Sequence, residues 1–130
     1  MHISNILIID NANSHILFLK WILQNNNYMA YTANNVKEAE AFLKLYHLHL
    51  ILLNPFLTDE NGNGLLPYLH NNNLLKKIPV IVIAPEQKKP VINNVLQYEV
   101  ADYIIKPYNI NNLINKIEIN LKQGKNKSAK

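Results

Sequence analysis

A chain of 130 residues with 48% hydrophobic content is long enough for one domain around one core and too short for two of ordinary size; its lack of Cys excludes a disulfide framework, a thiolate nucleophile and the usual cysteine zinc sites. The net charge of +4 is concentrated rather than spread: Lys122, Lys125, Lys127 and Lys130 all fall near the C-terminus, the rest is balanced at nine Lys against nine acids, and no Arg supplies the bidentate fork that reads bases and phosphates. No apolar run approaches the roughly 20 residues of a membrane span, and the first residues lack the basic flank, apolar stretch and small-residue cleavage site of a secretory signal, so a soluble, cytoplasmic domain with no membrane partner is expected.

Ile6-Leu7-Ile8-Ile9 is a short continuous apolar run, as a strand covered on both faces of a parallel sheet requires. A helix is predicted from Ser14 to Gln24, with Ile16, Leu17, Leu19, Ile22 and Leu23 at helical spacing and Ser14 or Asn13 as its cap. Tyr28 to Thr32 is a weaker strand. Asn34 or Asn35 caps a second helix whose apolar stripe is Val36, Ala39, Phe42, Leu43 and Tyr46. Leu50-Ile51-Leu52-Leu53 repeats the buried-strand pattern. A third helix starts near Gly64, with Pro67 in its first turn, and ends at Asn71-Asn72-Asn73. This Asn run, like Asn25-Asn26-Asn27, suits a helix end, because Asn tolerates the left-handed conformation needed there. Val80-Ile81-Val82-Ile83 is the fourth strand, Pro90 opens a fourth helix through Val91, Ile92, Val95 and Leu96, and Tyr103-Ile104-Ile105 is the fifth strand. Asn109 caps a last helix carrying Ile110, Leu113, Ile114, Ile117 and Leu121, which Gly124 ends.

Five strands alternating with five helices predict a doubly wound parallel sheet, since parallel neighbours need crossover helices. Ligands in such sheets gather at the carboxyl ends of the strands. Here those ends are Asp10-Asn11, Asn54, Ala84-Pro85 and Lys106-Pro107.

Over residues 3 to 123 the sequence resembles the receiver domain of two-component response regulators. Ile6 to Asp10 is similar to the family's first strand and acidic pair, Leu50 to Asn54 to the third strand and phosphoacceptor, and Ala101 to Tyr108 to the fifth strand with its Lys-Pro signature; Gly62 sits where the loop after the phosphoacceptor turns. The resemblance implies a flavodoxin-like fold with strand order 2-1-3-4-5, a role in signal transduction, a receiver unit over 1–123 and a basic tail over 124–130.

The departures from that family are the more informative part. The family holds magnesium with an acidic pair and the phosphoacceptor aspartate; this chain has Asp10, Asn11 and Asn54, one carboxylate of three. Magnesium prefers charged oxygen ligands and sheds water reluctantly, so weak or absent binding is expected. An amide at Asn54 cannot act as the carboxylate nucleophile. The family's switch hydroxyl is replaced by Ala84, and the following residue, which offers a backbone N–H, is Pro85, which has none. Asp10 and Lys106 persist and are expected near Asn54 as a partly buried ion pair that locks the strand ends. Tyr103 holds the switch-aromatic position and is expected to point inward, into space left by Ala84.

Other candidates carry less. His47 and His49 alternate but lack a third metal ligand, and His2, His15 and His70 are scattered. Asp59 and Glu60 lie in the loop after Asn54, without the strand-end setting of a phosphoacceptor. No Gly-rich phosphate loop or nucleophile elbow can be written, and no enzymatic activity is expected. The expectation is a degenerate receiver, a pseudo-receiver that works without phosphorylation. The resemblance implies that it meets another protein, or a weakly bound second copy, through the fourth helix, fifth strand and fifth helix, with Val91, Asn94, Val95, Tyr98 and Tyr108 on that face; such Tyr-rich, weakly charged surfaces suit protein contacts. A ligand-switched receiver and a nucleic-acid contact through the Lys-rich tail are the alternatives.

Overall fold

The computed structural model describes residues 3–128, with side chains for residues 3–123. In chain order it contains β1 (Asn5–Ile9), α1 (Asn13–Asn25), β2 (Met29–Ala33), α2 (Val36–Leu45), β3 (Leu50–Leu53), α3 (Leu65–Asn71), β4 (Val80–Pro85), a 3-10 segment (Glu86–Val91), α4 (Ile92–Leu96), β5 (Asp102–Lys106) and α5 (Ile110–Ser128). All strand pairs are parallel, in the order β2-β1-β3-β4-β5. This is the doubly wound, flavodoxin-like arrangement, with the strand order that the resemblance implies.

The apolar strands bury both faces. Leu7, Ile9, Ile51, Leu53, Val80, Val82 and Ala84 point into one core, with Val36, Ala39, Leu66, Leu69, Ile92 and Val95 from α2, α3 and α4. Ile6, Ile8, Leu50, Leu52, Ile81, Ile83 and Ile104 point into the other, with Leu19, Ile22 and Leu23 of α1 and Leu113 and Ile117 of α5. Each large side chain of this kind contributes about 1.5–3 kcal/mol on leaving water. That is why three continuous apolar runs fix the centre of the sheet.

Local signals operate largely where expected. Asn35 Oδ1 accepts from Glu38 N–H at 2.8 Å while Glu38 Oε1 accepts from Asn34 N–H at 2.9 Å, a reciprocal cap for α2. Asn109 Oδ1 accepts from Asn112 N–H at the start of α5. Asn27 and Asn73 take positive φ, 66° and 57°, where α1 and α3 have ended. The Lys106–Pro107 peptide is cis.

Several boundaries differ from the sequence reading. The residue before α1 is Ala12, which makes no side-chain cap; Asn13 and Ser14 are already helical, and the Asp10 carboxylate takes the N–H groups of Asn11 and Ala12 instead. Pro90 lies inside the 3-10 segment, and α4 begins only at Ile92. Gly124 does not end the last helix, for α5 continues through it to Ser128: one glycine costs a helix only about 1 kcal/mol relative to Ala. The side chains of the expected Lys-rich tail from 124 onward lie outside the described residues.

Candidate functional site

The chain leaves β1 for β2 on one side and enters β3 on the other, so the ends of β1 and β3 form the switch point of the sheet. Ile9 pairs with Leu53, and the next residues, Asp10 and Asn54, emerge side by side. Backbone bonds fix both: Asp10 N–H donates to Ala33 O at 3.1 Å and Asn54 N–H to Ile9 O at 2.9 Å. Asp10 is only 3% exposed. Its Oδ1 accepts from Asn11 N–H at 2.8 Å, Ala12 N–H at 3.3 Å and Asn54 Nδ2 at 3.2 Å. Asn54 Oδ1 accepts from Phe56 N–H at 3.0 Å, which fixes the amide's orientation.

The other oxygen, Asp10 Oδ2, lies 2.8 Å from His15 Nδ1 and 3.8 Å from Lys106 Nζ. His15 Nε2 lies 2.8 Å from the Tyr108 hydroxyl. An ionised carboxylate only accepts, so Nδ1 carries the hydrogen, and in the neutral ring Nε2 accepts from the Tyr108 hydroxyl. Burial works to raise the Asp10 pKa, but the hydrogen bonds from His15, Asn54 and Ala12, with the charge of Lys106, outweigh it and hold the carboxyl at about 2. Burial, then the Asp10 charge, pushes the Tyr108 hydroxyl up to about 12. Asp10 is thus a fixed anion and Tyr108 a fixed neutral phenol across the ordinary pH range.

Asp10, Asn54 and Lys106 therefore come together as expected, with Lys106 at ion-pair rather than hydrogen-bond distance. Asn11 is exposed and its backbone N–H, rather than its side chain, meets Asp10. Ala84 and Pro85 end β4, beside the end of β3 in the sheet; one is a fully buried methyl, the other lacks an N–H. Sequence reasoning misses His15 as a site residue. The available signal is its place in the first turn of α1, directly after the end of β1, where a first-turn side chain can reach back over the strand end.

Three expectations fail on geometry. Tyr103 points outward and is 43% exposed, while Ala84 is fully buried in the cluster that includes Leu53 and Ile92, with Ile105 packed against it. Val95 is buried in the same cluster, on the core side of α4, and adds to the partner face only the small part of its surface that lines the groove beside Asn94 and Tyr98. Tyr108 turns toward His15 and is half-buried, belonging to the cleft rather than to that face. Val91 and Asn94 are exposed, while Tyr98 is half-buried and meets His70 edge-on at 6.2 Å. Val91, Asn94 and Tyr98 help to line a groove of about 370 Å³ with Phe56, Pro67 and Lys88.

Asp59 and His49, two of the remaining polar candidates, make bonds that shape the fold. Asp59 Oδ1 accepts from Asn61 and Asn63 N–H, both at 2.9 Å, shaping the loop that turns at Gly62 with φ of 80°. His49 Nδ1 accepts from Asn5 N–H at 2.8 Å, tying the start of β1 to the approach to β3. Among the described residues no three His, Asp or Glu side chains cluster as metal ligands would.

With this geometry in place, comparison with known proteins is consistent in every direction. The model of the response regulator receiver domain matches residues 6–118. The transcriptional regulatory protein DcuR of Escherichia coli K12 is 36% identical over 108 residues, 80% of this chain and 44% of that protein. The transcriptional regulatory protein KdpE of Staphylococcus aureus is 31% identical over 118 residues, 89% of this chain and 49% of that protein. This chain spans somewhat less than half the length of these relatives. A CheY-like response regulator receiver domain protein from Methanospirillum hungatei superposes with a TM-score of 0.84 at 25% identity, over 97% of this chain and 99% of that one. The chain belongs to the response regulator receiver domain family.

Proposed function

We propose that this receiver domain acts by recognition alone, as a protein-interaction module that needs no phosphorylation. The observation that carries the reading is Asn54: at the position where the family resemblance puts the phosphoacceptor stands an amide, donating its Nδ2 hydrogen to Asp10. An amide does not form an acyl phosphate. The magnesium implied by the family does not suit the residues present either. A single carboxylate, Asp10, is offered, flanked by the amides of Asn11 and Asn54 and faced by Lys106, whereas magnesium wants charged oxygens in a strict octahedron.

Recognition needs surface, and two groups of exposed side chains supply it. Val91, Asn94 and Tyr103 remain on the α4–β5 side. Leu17, Phe18 and Trp21 stand out from α1, where a helix that covers a sheet on one face usually shows polar residues. The domain body of this reading is residues 1–123.

The test is exposure of the labelled protein to acetyl phosphate, or to beryllium fluoride with magnesium. The expected NMR spectrum is unchanged. Saturable shifts around Asn54, or an acid-labile phosphate seen by mass spectrometry after incubation with a kinase, would overturn the proposal.

A further inference from the structure

Resting on that reading of Asn54, we infer that His15 and Tyr108 form an internal latch on the free edge of the Asp10 carboxylate, closing the cleft to divalent cations even if an acid is placed at position 54. An ionised carboxylate has about four lone-pair directions. At Asp10, three N–H donors from Asn11, Ala12 and Asn54 meet Oδ1, and the His15 imidazole meets Oδ2. Magnesium would have to approach an oxygen to about 2.0–2.1 Å. The direction left open on Oδ2 is faced by Lys106 Nζ at 3.8 Å, so a cation approaching that oxygen meets either the ammonium charge or the imidazole.

The imidazole resists displacement because it is held at both ends. Nδ1 is 2.8 Å from Asp10 Oδ2, Nε2 is 2.8 Å from the Tyr108 hydroxyl, and the two rings meet edge-on at 5.8 Å. Tyr108 in turn lies against Phe18, with ring centroids 6.5 Å apart. The latch therefore joins the end of β1, the first turn of α1 and the segment between β5 and α5. Asn54→Asp removes one donor from Oδ1 and leaves every one of these contacts in place. It also leaves Lys106 Nζ facing Oδ2 at 3.8 Å.

The experiment titrates Mn²⁺ into labelled wild type, Asn54→Asp, Asn54→Asp/His15→Ala and Asn54→Asp/Tyr108→Phe, reading paramagnetic broadening of the Asn11 and Ala12 amides. The His15 double variant is expected to bind at least tenfold more tightly than Asn54→Asp, with the Tyr108 double variant between them. The Tyr108 variant keeps the ring and so tests the latch even if loss of His15 loosens the fold. Equal affinity of Asn54→Asp and both double variants would overturn the latch and leave the reading of Asn54 standing. Tight Mn²⁺ binding by the wild type would sink that reading and the latch together. As a direct signature, the imidazole nitrogen shifts of His15 should place hydrogen on Nδ1; a hydrogen on Nε2 alone would also overturn the latch.

Discussion

The strand-end cleft and the outer face of α1 begin within a few residues of each other and are built on opposite terms. In the cleft, Asp10 is 3% exposed and its carboxylate accepts from the helix-entry amides, Asn54 and His15. Beyond His15 on the same helix, Leu17 and Trp21 are 66% and 60% exposed. The polar site is internally satisfied and the apolar face is not. Under the proposed function this contrast is what a domain that has exchanged chemistry for recognition should show: a cleft that needs no ligand beside a surface that gains free energy from one.

The contrast can be broken by substitution, and the cleft should respond most. Asp10→Ala strips the acceptor from His15, Asn54 and Lys106 together, and by the cost of breaking a buried pair it should destabilise the fold by about 3–5 kcal/mol in urea denaturation. A loss below about 1 kcal/mol would show that the cleft is no tighter than an ordinary surface.

Acid tests the same carboxylate without mutation. Its pKa falls from an ordinary 3.8 to about 2 on folding. A depressed carboxyl contributes stability that is complete above 3.8 and is lost as pH falls through about 2, a contribution of about 2 kcal/mol. The denaturant midpoint should drop across that window in wild type and not in Asp10→Asn.

Base tests Tyr108 with the opposite sign. Its hydroxyl is raised from 10.0 to about 12, so the folded state keeps a proton that the unfolded chain releases, and the associated stability is present below pH 10.0 and lost as pH rises toward 12. In an ultraviolet phenolate titration of the seven Tyr, one late component should vanish in Tyr108→Phe.

The smallest stability effect belongs to the α1 face. Trp21→Ser and Leu17→Ser should each change stability by no more than about 0.5 kcal/mol, and Trp21, the single tryptophan, should be fully quenched by iodide in the free protein. A loss near that of Asp10→Ala would mean the face is packed after all, and the comparison would collapse.

The particular residues show how far the sequence could be read. Ile6 to Ile9, Leu50 to Leu53 and Val80 to Ile83 announce buried strands by composition alone, while the adjacency of the strand ends at Asp10 and Asn54 is implied only by the family resemblance and its strand order. Pro90 misled, because a proline that opens a helix and one that sits in a 3-10 segment look alike in sequence. Tyr103 and Val95 misled because rotamer and helix phase decide which way a side chain faces, and α4 is too short for its apolar spacing to define a face.

By itself, then, the sequence determined the architecture and the chemical poverty of the cleft: continuous apolar runs must be covered on both faces, and an amide, a methyl group and a proline carry no carboxylate, hydroxyl or backbone N–H wherever they lie. Only the tertiary structure decided that His15 and Tyr108, 93 positions apart, meet at Asp10, and that α1 leaves Leu17 and Trp21 bare. Both depend on how helices settle against a twisted sheet, a matter of packing between distant segments that local spacing does not encode.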